Sequence, residues 1–399
     1  VTAPAPGAPR RMMFSAFVAF AAFGAFWGVW GGSVPRVQQQ AGVGDGRLGV
    51  ALLFVGAGAL PAMPLAGRAL DRWGPAVAAA VIAALGVAGT ALALTAMGTV
   101  SLCAGLACVG AASGAADVAM NAVAGRAETA AGRPVITRAH GVFSSLVVLA
   151  SLATGLASAA SLPLALPFAV VAVLCLTAGA LLLAALPREP AADTAARLAD
   201  QAAASTVKAA DEAGGRGIVP LLLVGVLGAL AFASENAHQS WSAVFAHDAL
   251  GSGTGLSAVA PAVFAGTVAV TRFSVGGLAS ARARAVLLSG ASAAAAGAVL
   301  IAAAPTLAIA GLGLAAAAAG TAVLFPTLLG IVSRNVEESG RGRATSVVTT
   351  VSYLGFLAGP VYVGLWADAV GLRGAMVAVA ALGACLLALT PPLLRLSRL

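Results

Sequence analysis

Charge is what this sequence has least of. Of its 399 residues only 9% are Asp, Glu, Lys or Arg, while 60% are hydrophobic and the mean hydropathy is +0.99. A soluble domain carries roughly 25% charged residues, so the composition excludes an ordinary water-facing fold and suits lipid as the solvent. Cysteine is scarce too. Cys103, Cys108, Cys175 and Cys385 all lie within apolar runs and none belongs to a C-x-x-C pair; they read as small buried hydrophobes. No H-E-x-x-H, other metal motif, Ser-His pairing or Walker-type loop occurs. The sequence therefore offers no enzyme, no metal site, no cofactor and no direct use of ATP. The net charge of +8 and the pI near 10.6 would suit a nucleic-acid binder. The basic residues, however, sit in short gaps between apolar runs. That is the pattern of topology signals, and it argues against a nucleic-acid partner.

What is abundant is apolar length. A bilayer span needs about 20 apolar residues, and twelve runs qualify: 12–35, 48–70, 75–97, 100–125, 139–160, 163–186, 218–242, 255–279, 285–303, 307–332, 344–367 and 372–394. The expected fold is an all-α membrane protein of twelve transmembrane helices. Pro61, Pro64, Pro326 and Pro360 fall inside runs, which a membrane tolerates because neighbouring helices and side chains re-satisfy the freed backbone groups. Of the 22 Lys and Arg, Arg36, Arg47 and Arg373 fall on one side, Arg272 lies within a span, and the other 18 fall on the opposite side. That asymmetry places both termini in the cytoplasm of a cell whose inner membrane holds the chain.

Residues 1–11 read as a cytoplasmic leader retained before the first span, 12–186 as one six-helix half, 218–394 as a second, and 395–399 as a cytoplasmic tail. The stretch 187–217 between the halves is polar, with four basic and five acidic residues, and reads as a solvated linker. Internal symmetry supports the division. RAETAAGR (Arg126 to Arg133) and RNVEESGR (Arg334 to Arg341) share Arg, five residues, Gly-Arg, at an offset of 208, and an offset of 209 carries Gly67 onto Gly276.

Polar residues inside the runs stand out because a carboxylate there costs at least ~2.5 kcal/mol on insertion scales. Asp117 and Asn121 lie four apart on one helical face, beside Gly110 and Gly114, whose spacing lets another helix approach closely. Glu235, His238, Gln239 and Ser242 form a second polar stripe, with Trp241 beside it. Phe23, Phe26, Trp27 and Trp30 form an aromatic stripe on the first span, open to two readings, helix packing or stacking on a solute.

Between the second and third runs stands GRALDRWG, Gly67 to Gly74. It resembles the G-x-x-x-D-R-x-G loop of the major facilitator superfamily, without that pattern's trailing basic pair. The resemblance implies a fold of two pseudo-symmetric six-helix halves. It also implies a cytoplasmic gate at Gly67, Asp71, Arg72 and Gly74, in which Asp71 pairs with a basic group or caps a helix N-terminus of the second half. The second-half counterpart is degenerate, with Ser280 in place of the acid before Arg282 and Arg284. DVAMN (Asp117 to Asn121), HGVFSS (His140 to Ser145), ENAHQSWSAVF (Glu235 to Phe245) and YLGFLAGP (Tyr353 to Pro360) resemble a bacterial branch that includes YbjJ and the rhizopine-linked MosC. Ser240 stands where that branch usually has an acid.

The expected function is secondary active transport of a small solute by alternating access, coupled to protons, with a sugar- or polyol-like solute as the first guess. A drug or metabolite efflux antiporter of the same fold is the alternative, and a non-transporting membrane sensor a distant one. Proton-coupling candidates are Asp117, Glu235 and His140. Substrate-cavity candidates are Trp27, Trp30, Asn121, His238, Gln239, Trp241, Arg272 and Tyr353. For Asp117 the competing reading is a structural bond to Asn121, His140 or Arg138; for Glu235 it is a solvated helix end; for His140, an interfacial helix start. Arg272 reads equally as a ligand for a solute oxygen, a partner for an acid, or a side chain reaching the cytoplasmic surface. The expected partners are the solute, protons and membrane lipid, and the expected state is monomeric.

Overall fold

The structure, a computed structural model, describes residues 8–186, 218–275, 282–337 and 340–397. The expected linker 187–217, Gly276 and Ser280 lie outside the described residues. The described residues form thirteen α-helices and no strand. In the first half these are α1 (Ala8–Ala41), α2 (Asp45–Trp73), α3 (Val77–Thr95), α4 (Thr99–Ala131), α5 (Ile136–Ala159) and α6 (Ala165–Ala185). In the second they are α7 (Ile218–Val244, closing in a wide turn at Phe245–Ala249), α8 (Thr254–Ser257), α9 (Val259–Val275), α10 (Ala283–Ala303), α11 (Leu307–Thr321), α12 (Leu324–Asn335) and α13 (Arg341–Ser397).

Ten helical stretches among the described residues are long and apolar enough to cross a membrane. Two of them are too long to cross it once. Asp45–Thr95 has 51 residues and Arg341–Ser397 has 57, about 77 and 86 Å at ~1.5 Å per residue, against a hydrocarbon core of ~30 Å. Each contains a glycine in the left-handed region, Gly74 (φ +71°) and Gly371 (φ +75°), a conformation that costs any other L-residue and reverses the chain. The limbs lie side by side. Tyr362 donates its hydroxyl hydrogen to the Ala378 carbonyl at 2.9 Å, although sixteen residues of straight helix would separate them by ~24 Å. Leu65 and Arg72 on α2 line one recess of about 500 Å3 together with Val77 and Val81 on α3. Counting each long stretch as two passes gives the twelve spans expected.

Three boundaries differ from expectation. The expected leader is partly helical, since α1 begins at Ala8 and Arg10 and Arg11 stand in its first turns. The expected loop RAETAAGR is helical as far as Ala131, because its Ala- and Glu-rich sequence continues α4 until Gly132 (φ +63°) stops it. Glu128 in that turn then accepts the Val135 and Ile136 N–H groups at 2.8 and 3.0 Å, capping the start of α5. The run 307–332 is two helices, α11 and α12, broken ahead of Pro326.

The chain divides into two compact units, one within 1–43 and 54–205, the other within 44–53 and 206–399. In the first unit α1 packs along α5, and α3 packs along α6 and α4. In the second, α7 packs along the first limb of α13, and α10 packs along α11 and α13. Small residues make these seams. Gly110 and Gly114 of α4 meet the α2 backbone at Val55 and Ala59, as their spacing predicts. The first turns of α2, residues 44–53, group with the second unit: Gly49 meets Gly364 and Pro360, and Asp368 Oδ1 accepts the Gly46 N–H at 2.9 Å.

Outward faces are apolar, with Leu156, Val173, Leu312 and Leu354 all exposed, as a lipid-facing surface requires. Of the four cysteines only Cys175 is buried; Cys108 and Cys385 are exposed, which corrects the expectation of burial. An apolar thiol on an outward face has no reason to hide when the solvent is lipid. Gly355 of α13 presses on the Ala229 carbonyl of α7, so that a methyl there would overlap the carbonyl oxygen. Gly355→Val is expected to lower stability by about 1–3 kcal/mol through overpacking, read as a fall in thermal unfolding midpoint in detergent. Gly125→Val, where nothing lies within 4 Å of the added carbon, is the control.

Candidate functional site

Helix α7 carries its polar residues on more than one face, and each face has its own work. Glu235 lies about 26 Å from Ile218 at ~1.5 Å per residue, deep in its span. Its Oε1 sits 3.0 Å from Arg272 Nη2 on α9, an ion pair in which the Glu235 side chain is 15% exposed and the Arg272 side chain 49%. Arg272 also donates from Nε to the Ala322 carbonyl at 3.4 Å. That carbonyl stands four residues before Pro326, whose missing N–H would have been its helical donor. The arginine thus ties α7 and α9 to the break between α11 and α12.

One residue on, Asn236 is buried and donates its side-chain amide to the Phe356 carbonyl of α13, at the limit of hydrogen-bond closeness. Phe356 stands four residues before Pro360, so this carbonyl too has lost its helical donor. Trp241 Nε1 donates to the Pro360 carbonyl at 3.1 Å, and Ser240 Oγ donates to Asn236 Oδ1 at 3.0 Å. Asn236 is absent from the candidates chosen by sequence. The signal was a proline in one span that demands a donor from another.

Aromatic rings lie one helical turn from the ion pair. Phe232 precedes Glu235 by three residues. Its ring packs on Phe325 (centroids 4.3 Å), Tyr353 (5.6 Å) and Phe356 (6.3 Å). Phe325 in turn follows Ala322 by three residues. A charged pair, an opened carbonyl and an aromatic wall, drawn from α7, α9, α12 and α13, therefore occupy one region of the second unit. Such a set can hold a small polar solute by charge-assisted bonds on one side and ring contact on the other.

The remaining candidates fall elsewhere. His238 is 1% exposed and Trp241 0%, both enclosed in this structure. His238 Nδ1 meets the Ser234 carbonyl at 2.7 Å and its ring stacks on Phe264; with Ser242 it lines a small hole of about 10 Å3, room for one water. Gln239 is exposed on another side of α7. In the first unit Asp117 is bonded within its own helix, since Asn121 Nδ2 reaches the Asp117 carbonyl at 2.9 Å and its Oδ1 at 3.1 Å. His140 is exposed and meets the Phe20 ring edge-on at 4.9 Å. Trp30 is buried, and half-buried Trp27 packs edge-on against Phe23 and Phe26. At the end of α2, Asp71 and Arg72 are exposed, Arg72 lies over the Trp73 ring at 5.6 Å, Gly67 is half-buried and Gly74 forms the reversal. Within that unit no described residue pairs with Asp71.

A family model described as the Major Facilitator Superfamily matches residues 12–318. The chain belongs to that superfamily. Solved structures agree in fold. A bacterial homologue of the human lysosomal transporter Spinster, in an inward-facing and unoccupied conformation, superposes with a TM-score of 0.77 at 14% identity over 98% of each chain. A D-xylose–proton symporter gives 0.74 at 15% over 96% of each chain. The nucleoside transporter NupG gives 0.71 at 13% over 96% of this chain and 98% of its own. At such identity these likenesses speak for fold alone. No match is found among curated proteins. This superfamily member is a membrane-spanning transporter of a small-molecule solute.

Two stability tests follow. Asn236→Ala leaves the Phe356 carbonyl without a donor and is expected to cost about 1–3 kcal/mol; adding Pro360→Ala restores a backbone donor, and most of that loss should return. Arg272→Ala strands Glu235 at depth. A loss on the order of 2 kcal/mol is expected, between the values for exposed and buried pairs, and the double change Arg272→Ala with Glu235→Ala should cost less than Arg272→Ala alone. Both cycles are read as unfolding midpoints of purified protein.

Proposed function

We propose that the chain is a secondary active transporter that moves a small polar solute by alternating access between its two halves, with a proton carried on Glu235. The observation that supports this most is the Glu235–Arg272 ion pair at membrane depth, joined to the open carbonyl of Ala322. An ionisable pair in such a position is costly to keep, and by default it marks a solute or proton pathway. The aromatic group of Phe232, Phe325, Tyr353 and Phe356 supplies a wall for the solute's flat or apolar side. Asp117, held by Asn121, is the second acid proposed to exchange protons, and Gly67 to Gly74 the cytoplasmic gate. The basic residues support an inner-membrane location with both termini cytoplasmic. The motifs shared with the YbjJ- and MosC-like branch support a hydroxylated, sugar- or polyol-like solute.

The test is solute-induced external alkalinisation in proteoliposomes. Wild type is expected to alkalinise the medium on addition of a solute found by screening. Glu235→Gln should lower proton-driven uptake at least ten-fold while solute exchange continues, and Asp117→Asn should reduce it less. Undiminished proton-driven uptake in both variants would remove these residues from the coupling.

A further inference from the structure

Charge balance at Arg272 restricts the solute further. We infer that the transported solute is an organic monoanion, held by Arg272 in place of Glu235 when Glu235 takes up its proton; this rests on Glu235 being the proton site proposed above. In the structure the arginine charge is answered by one carboxylate. The groups around the pair cannot replace that carboxylate. On α7 itself the nearest titratable side chain is His238, which is buried with Nδ1 committed to the Ser234 carbonyl. The end of α11 offers the neutral Ala322 carbonyl. From α13 the nearest titratable group is Tyr353, in ring contact with Phe232 one turn away.

Protonating Glu235 therefore leaves the half-exposed Arg272 guanidinium without its counter-ion, and enclosing it during the conformational change would bury an unpaired charge, a state a low-dielectric surrounding strongly disfavours. A neutral sugar or polyol cannot repair it. A carboxylate on the solute can, by bonding to the guanidinium edge that Glu235 leaves and to Nη1, which has no acceptor among the described residues. A guanidinium suits such a side-on carboxylate pair. The empty carrier then holds Glu235 as carboxylate with Arg272 as cation. The loaded carrier holds neutral Glu235, cationic Arg272 and the anion. Both sum to zero, so both can change conformation without moving net charge. At this site one proton and one anion enter together on one side and leave together on the other, so the Glu235–Arg272 pair itself moves no net charge. Among hydroxylated solutes this selects acids over neutral sugars and polyols.

The test uses Glu235→Gln as a fixed copy of the protonated state. Binding of acetate, benzoate and gluconate is measured on purified protein by thermal shift, each against a neutral counterpart: acetamide, benzyl alcohol and sorbitol. At least one of the three anions should bind Glu235→Gln ten-fold or more tightly than wild type at pH 7.5, its neutral counterpart should show no gain, and adding Arg272→Gln should abolish the gain. If none of the anions gains, or the gain survives Arg272→Gln, the inference is overturned. Should Glu235→Gln not purify as a monodisperse protein, wild type serves with benzenesulfonate, which stays anionic throughout: tighter binding at pH 5.5 than at pH 8 supports the inference, and equal binding overturns it. The two readings fail separately. Proton-driven uptake of a neutral solute by wild type would overturn the anion and leave the proton site standing. An anion gain in Glu235→Gln without proton flux in vesicles would support the anion site and remove the coupling.

Discussion

A carbonyl that loses its helical donor inside a bilayer has no water to turn to, so another part of the protein must supply a hydrogen. Much of the second half is arranged around two such carbonyls. Pro360 frees that of Phe356, and Asn236 reaches across from α7 to meet it. Pro326 frees that of Ala322, and Arg272 reaches across from α9. In the first case the repair is neutral and structural. In the second the repairing group is a cation, and it brings its own need for a counter-ion, which Glu235 fills. The candidate site thus grows out of a backbone defect: the proline opens a carbonyl, the carbonyl holds the arginine, and the arginine holds the acid.

Lipid also changes what packing must do. Apolar side chains gain little by leaving hydrocarbon for the protein interior, so helices associate where small residues let backbones approach and where polar groups fix the register. The α4 contact with α2 through Gly110 and Gly114, and the α13 contact with α7 through Gly355, are of this kind. Arginines near helix ends add ties within each unit. Arg36 bonds to Ser158 Oγ and the Leu162 carbonyl beyond α5, and Arg373 bonds to the Ala302 and Ala304 carbonyls at the end of α10. These are two of the three arginines that the charge count puts on the outer side, and they are spent on open helix ends.

The stripe on α7 shows how far periodicity can be read. Glu235, His238, Gln239 and Ser242 share a helical face in projection, with Glu235 expected as a proton site and His238 and Gln239 as cavity residues. A helix surrounded by several others divides even a narrow face among them. Glu235 meets α9, His238 lines a small hole between helices of its own unit, and Gln239 is exposed. Spacing said which residues were neighbours along α7 and could not say which helix each would face. The aromatic stripe of α1 follows the same logic, since Phe23 meets Phe143 of α5 and Trp27 stays against its own helix.

Solvent and architecture were determined by the residues alone, because a span's length, its scarcity of charge and the sidedness of arginine are properties of the chain read one segment at a time. Twelve passes and a close seam at Gly110 and Gly114 follow from that local record. Partnership was decided only by tertiary structure. That Arg272 belongs to Glu235, that Asn236 answers Pro360 and that Trp241 is enclosed depend on which of several near neighbours stands opposite. Residues 37 and 120 positions apart are brought together by the packing of whole helices, and no local pattern in the sequence encodes that choice.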